Sequence, residues 1–192
     1  MGSGGYFSNA GVFLVDVVFG LYIFAVLLRF LFQLVRADFY NPLCQAIVTV
    51  TNPPLRPLRR YIPSLGGLDT ASIVLLVALQ MLNTFLVTLV LGLDAAAGGL
   101  LVVAIAELLG KTLWTFIGAI IIQVVLSWVA PGTYNPLTSV IHALTEPLLG
   151  PARRAIPPLG PLDLSPLVVL VGLQLAQILV VAPLRDAGVA LL

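Results

Sequence analysis

The run from Ala10 to Val35 is 26 residues long and carries two charges, Asp16 and Arg29. An apolar run of more than about 20 residues is long enough to cross a bilayer. A backbone in lipid must satisfy its own hydrogen bonds, so the run folds as a helix. It has no basic stretch ahead of it and exceeds a signal-peptide core, so it reads as an uncleaved span. Similar runs cover Thr70–Leu93 and Leu164–Pro183, and a further one ends at Ala130. Gly98–Ala130 as one helix would reach about 50 Å, well beyond a ~30 Å hydrocarbon core. The crossing is therefore placed at Leu109–Ala130, with Gly98–Leu108 a tilted extension or an interfacial turn. Composition agrees: 9% of residues are charged and mean hydropathy is +1.12, whereas a soluble domain carries about 25% charged residues.

The polar stretch after the first span, "NPLCQAIVTVTNPPLRPLRRYIPSLGGLD" from Asn41, returns as "NPLTSVIHALTEPLLGPARRAIPPLGPLD" from Asn135. Residues 40–83 laid on 134–177, an offset of 94 without a gap, are identical at 22 of 44 positions. Matched Asn, Arg, Pro, Gly and Asp residues set this apart from a coincidence of greasy composition. The expected fold is an all-α membrane protein. Four transmembrane helices form two parallel span–interfacial helix–span repeats, 1–93 and 94–192. Two spans per unit make the repeats parallel rather than inverted. Both polar loops then share one face with Arg36, Arg56, Arg59, Arg60, Arg153 and Arg154. The excess of arginine predicts that this face is cytoplasmic, with both termini external.

Asn41 and Asn135 are good N-caps, and Pro42 and Pro136 stand where a missing N–H costs nothing. Single apolar stripes predict short interfacial helices at Asn41–Val50 and Asn135–Leu144. Proline after Thr51 and Thr145 is expected to stop them. Pro57 and Pro151 then open short turns that hold the arginine pairs at headgroup level, with Pro63 and Pro157 beyond. Asp69 and Asp163 precede the second span of each unit as N-caps, with ion pairing to the repeated arginines as their sharper role. Arg59, Arg60, Arg153 and Arg154 are the candidate surface for a partner or an anionic lipid, beyond setting topology.

Within the spans, Gln80 and Gln174 form a symmetric polar pair suited to interhelical hydrogen bonds or to lining a solute path, with Gln123 a further lining candidate. Asp16 and Lys111 are placed at similar depth, where a pair between them is open; Glu107 and Lys111 have i, i+4 spacing. Arg29 is close enough to its helix end to snorkel. The sequence holds no metal-ligand set, catalytic triad or phosphate loop, so no enzyme activity, cofactor or metal is expected. Lone His142 and Cys44 read as ordinary neighbours. A net charge of +1 argues against nucleic acid.

The duplicated phrase resembles the YggT family of bacterial and plastid membrane proteins. The likeness rests on Asn41, Pro42, Arg59, Arg60, Pro63, Gly66 and Asp69, with Asn135, Pro136, Arg153, Arg154, Pro157, Gly160 and Asp163. It implies a bacterial inner-membrane protein connected with osmotic tolerance, cytochrome maturation or the organisation of division. The function expected is a non-enzymatic scaffold or assembly factor. The alternative is a small oligomeric transporter or channel for ion or osmotic balance. Expected partners are anionic lipid headgroups, a cytosolic or membrane protein and, in an oligomer, further copies of the chain.

Overall fold

The structure is a computed structural model that describes residues 4–129, 135–155 and 163–192. The described residues form helices α1 (Gly4–Leu34), α2 (Pro42–Tyr61), α3 (Thr70–Leu91), α4 (Ala97–Val129), α5 (Pro136–Ala155), α6 (Ser165–Ala176) and α7 (Ala182–Val189). A π turn, Gln177–Val181, joins α6 to α7. Four stretches are long and apolar enough to cross a membrane: Gly5–Leu34, Thr70–Leu91, Ala97–Val129 and Ser165–Val189. Phe13, Leu21, Leu89 and Leu179 on these helices point outward, as side chains do where the solvent is lipid.

The order of packing sets what each span can meet. Helix α3 packs against both α1 and α4, whereas α6 and α7 pack against α4. Helix α2 sits against α1 and α3, helix α5 against α4 and α6, and α2 touches α5. The C-terminal part of α1 and the N-terminal part of α3 close over Cys44 and Leu55 of α2. Leu149 of α5 joins Ile117, Ile120 and Leu173 in the second cluster. We call the end bearing α2 and α5 the basic end.

Three expectations change or narrow. Gly98–Leu108 is not an interfacial turn but continues the helix of the crossing: α4 is one unbroken 33-residue helix. Helices α2 and α5 do not stop after Val50 and Leu144. Each has 20 residues and runs through its prolines, Pro53, Pro54 and Pro57 in α2 and Pro147 and Pro151 in α5. Interior proline removes a hydrogen bond and kinks a helix. Burial between the prolines holds both halves in place: Leu55 and Leu149 are each 0% exposed. The last span likewise continues past Pro183 to Val189. There the π turn widens the helix just ahead of the proline, a known way to absorb such a break.

Candidate functional site

The basic end is built from contacts that recur at the repeat offset. Helix α1 ends with Arg36 at φ 54, in the left-handed region. The Ala37 and Arg36 N–H groups donate back to Phe32 and Gln33 at 2.8 and 3.2 Å, a Schellman closure that turns the chain toward α2. Asn41 caps α2 by accepting from the Leu43 N–H at 2.9 Å. Its amide also donates to the Pro136 carbonyl at 2.6 Å and joins the two units. Asn135 caps α5 through the Thr138 N–H at 2.9 Å.

After α2, Gly66 (φ 60) and Gly67 (φ 84) form a two-residue turn with hydrogen bonds in both directions between Leu65 and Leu68. Positive φ at both central positions is the type I′ geometry, which favours glycine. The Pro63 carbonyl accepts from the Thr70 hydroxyl at 2.6 Å. This turn delivers Asp69, 4% exposed, to the start of α3. Its carboxylate accepts from the Ser72 N–H and hydroxyl and from the Arg59 guanidinium. Burial pushes the Asp69 carboxyl up, but the hydrogen bonds from Arg59 and Ser72 and the arginine charge together leave it below the usual carboxylate range.

The second unit repeats this ion pair, with Arg153 donating to Asp163 at 3.0 Å. Its cap differs. Asp163 accepts from the Ser165 N–H, two positions on, because Pro166 stands where the first copy has Ser72. Arg153 also donates to Glu146 at 3.1 Å, and His142 stands 3.9 Å from the same carboxylate. Pro157 and Gly160 lie outside the described residues.

The arginine pairs therefore divide. Arg59 and Arg153 bind their own aspartates. Arg60 and Arg154 are exposed and make no ion pair or hydrogen bond among the described residues. Cys44 is fully buried. Burial first, then the Asp38 charge, raises its thiol pKa and keeps it protonated.

Sequence reasoning missed the role of a buried charge. Arg29 is 5% exposed and its Nη1 donates to the Thr51 hydroxyl at 2.8 Å, the Asn52 side chain at 2.9 Å and the Val48 carbonyl at 3.2 Å. It does not snorkel to water; it braces α2 just ahead of the prolines. At the same offset, Gln123 accepts from the Thr145 hydroxyl. The available signal was the identity of Thr51 and Thr145, with a polar residue 94 positions after Arg29.

Deeper in the bundle, Asp16 and Lys111 do not pair. Asp16 accepts from Asn83 at 3.3 Å, and Lys111 donates to Gln80 at 3.0 Å and Glu107 at 3.5 Å. Helix α3 lies between α1 and α4 and intercepts both charges. Glu107 also meets Arg185 at 3.1 Å. The Asn83 contact has its counterpart in Gln177, which donates to the Gly110 carbonyl at 2.9 Å. Gln80 is 3% exposed, whereas Gln174 faces outward.

These features define a class: a helical membrane protein of two parallel span–amphipathic helix–span units, each latched by an Arg–Asp pair at its basic end. The chain belongs to the CCB3/YggT family, whose model matches residues 8–90 and again 102–184. The two matches begin 94 residues apart, the offset of the repeat. An uncharacterized protein of Pseudomonas aeruginosa is 45% identical over 91% of this chain and 89% of its own length. One of Vibrio alginolyticus is 40% identical over 89% and 93%. The uncharacterized protein YggT of Escherichia coli K12 is 34% identical over 96% of both chains. No solved structure matches.

Proposed function

We propose that the protein is a non-enzymatic scaffold of the bacterial inner membrane that uses its basic end, on the cytoplasmic side, to hold an acidic partner or anionic headgroups during envelope or division-related organisation. The observation that carries this reading is the division of labour within the arginine pairs. Arg59 and Arg153 are consumed in latching each unit, while Arg60 and Arg154 stay exposed, as do Arg36 and Arg56. Latching needs one arginine per unit; the second has no hydrogen-bond or ion-pair partner among the described residues. Three candidate path-lining residues diverge, which favours a scaffold over a conduit. Gln80 is bound to Lys111, Gln123 to Thr145, and Gln174 points outward.

Arginine differs from lysine in its planar fork, which grips phosphate or carboxylate through two hydrogen bonds. Replacing Arg60 and Arg154 together by lysine is expected to leave expression and unfolding temperature unchanged, since neither side chain makes a hydrogen bond or ion pair among the described residues. Complementation of a deletion strain should fall. Full complementation would reduce these residues to topological anchors. Flux of ions or osmolytes through reconstituted vesicles would replace the scaffold with the transporter reading.

The orientation has its own test. An Arg56→Cys substitution in a Cys44→Ala background is expected to resist an impermeant thiol reagent applied to intact cells and to label after lysis. Labelling in intact cells would reverse the topology.

A further inference from the structure

Between α1, α2 and the turn ahead of α3 lies a cavity of about 670 Å³, lined by Arg29, Gln33, Phe39, Arg59, Ser64 and Asp69 among others. Its size falls within the range of small-ligand sites. We propose that it is a binding site for a phosphoryl anion held by Arg29, an assignment that does not depend on the scaffold reading. Arg29 is buried, yet all three of its acceptors are neutral. It forms no ion pair among the described residues. A buried charge without a counter-ion is costly. All three bonds use Nη1, so of the five N–H donors of a guanidinium those on Nε and Nη2 have no protein acceptor among the described residues. Asp69 makes no ion pair with Arg29: its oxygens are engaged by Arg59 and Ser72, and the Arg59 charge offsets its own in the same lining. Arg29, Arg59 and Asp69 leave the lining with one net positive charge.

The second unit supplies an internal comparison. Its corresponding cavity is lined by Gln123, Arg153 and Asp163. Gln123 replaces Arg29, and Glu146, which binds Arg153, replaces Asn52. The charges that line it, Arg153 and Asp163, sum to zero among the described residues, and Glu146 adds a carboxylate to Arg153 from outside the lining. The two cavities share a frame, and the first alone is built for an anion. Arg29 lies five residues inside the end of α1, about 7.5 Å along the helix, close to headgroup depth. Phe39 offers an apolar wall beside the guanidinium. A phospholipid headgroup and free phosphate present the same chemistry.

The test uses the full chain in neutral detergent, with native mass spectrometry of short-chain phosphatidylglycerol against phosphatidylcholine. Wild type is expected to retain phosphatidylglycerol one to one in preference to phosphatidylcholine. An Arg29→Gln variant should weaken that retention by about tenfold to a hundredfold, the loss of one charge-assisted hydrogen-bonding group. Gln123 with Thr145 already shows that glutamine suits this position, so the variant should still fold, with an unfolding temperature somewhat below wild type for the bonds lost to α2. Added millimolar inorganic phosphate displaces the lipid if free phosphate is the natural ligand and leaves it in place if the headgroup is. Equal retention of the two lipids by wild type overturns the site without recourse to any variant. Undiminished retention by a folded Arg29→Gln protein overturns it as well.

Discussion

Leucine in place of Gly188 is expected to push α7 off α4 and lower the unfolding midpoint more than any other single change considered for this chain. A Cβ at Gly188 would lie 2.8 Å from the backbone nitrogen of Val103, 2.8 Å from its Cγ2 and 3.1 Å from Val102 Cγ1. Flexible side-chain tips can yield to such a contact, but the backbone of a continuous helix cannot. The cost should reach about 3 kcal/mol, the upper part of the usual overpacking range. For a chain of this length that corresponds to roughly 6–12 °C. Gly172 is the control. A Cβ there meets nothing within 4 Å, so Gly172→Ala should stay within about 0.5 kcal/mol of wild type. Thermal unfolding in detergent, followed by circular dichroism, reads both. An unchanged midpoint for Gly188→Leu would mean that α7 does not rest on α4 at this distance.

The spans and the duplication were legible because both are written in features that survive without tertiary context: apolar length, and polar residues repeated at one offset. The proline-rich helices were not. The local rule that proline ends a helix lost to burial of Leu55 and Leu149, which lie between the prolines and anchor each helix there. Only the packed structure reveals that anchoring.

The polar partners were half legible. Depth along each helix placed Asp16 and Lys111 at a common level, but depth says nothing about which helix stands between. Asn83 and Gln80 of α3 take the two charges instead. The same asymmetry explains why Gln80 and Gln174, identical by sequence position, differ in fate. Helix α3 is flanked by two spans, while α6 has α4 alone among the spans beside it. A repeat copies local contacts such as Arg59–Asp69 and Arg153–Asp163 faithfully. It does not copy burial, because the two units occupy different places in the bundle.

That difference in burial makes the two latches unequal, and alanine at Asp69 should cost more than alanine at Asp163. The Asp69 side chain is 5% exposed and that of Asp163 44%. Removing Asp69 deletes an N-cap, worth about 0.5–2 kcal/mol, and strands the Ser72 hydroxyl in a buried setting. Its ion pair with Arg59, which is 39% exposed, adds only a screened increment. A total of about 2 kcal/mol is expected, against less than about 1 kcal/mol at Asp163, where solvent screens the pair. Asp69→Asn should recover the cap and lose the charge, falling between the two. The pH dependence follows from the depressed carboxyl of folded Asp69. Its contribution is fully present above the unfolded value near 3.9 and is lost as pH falls through the lower folded value. The gap between wild type and Asp69→Ala should thus hold steady from pH 7 down to about 5 and narrow below about 4. Unfolding midpoints at pH 7 and pH 3 measure it. Equal losses at Asp69 and Asp163 would show that burial does not set the strength of the latch.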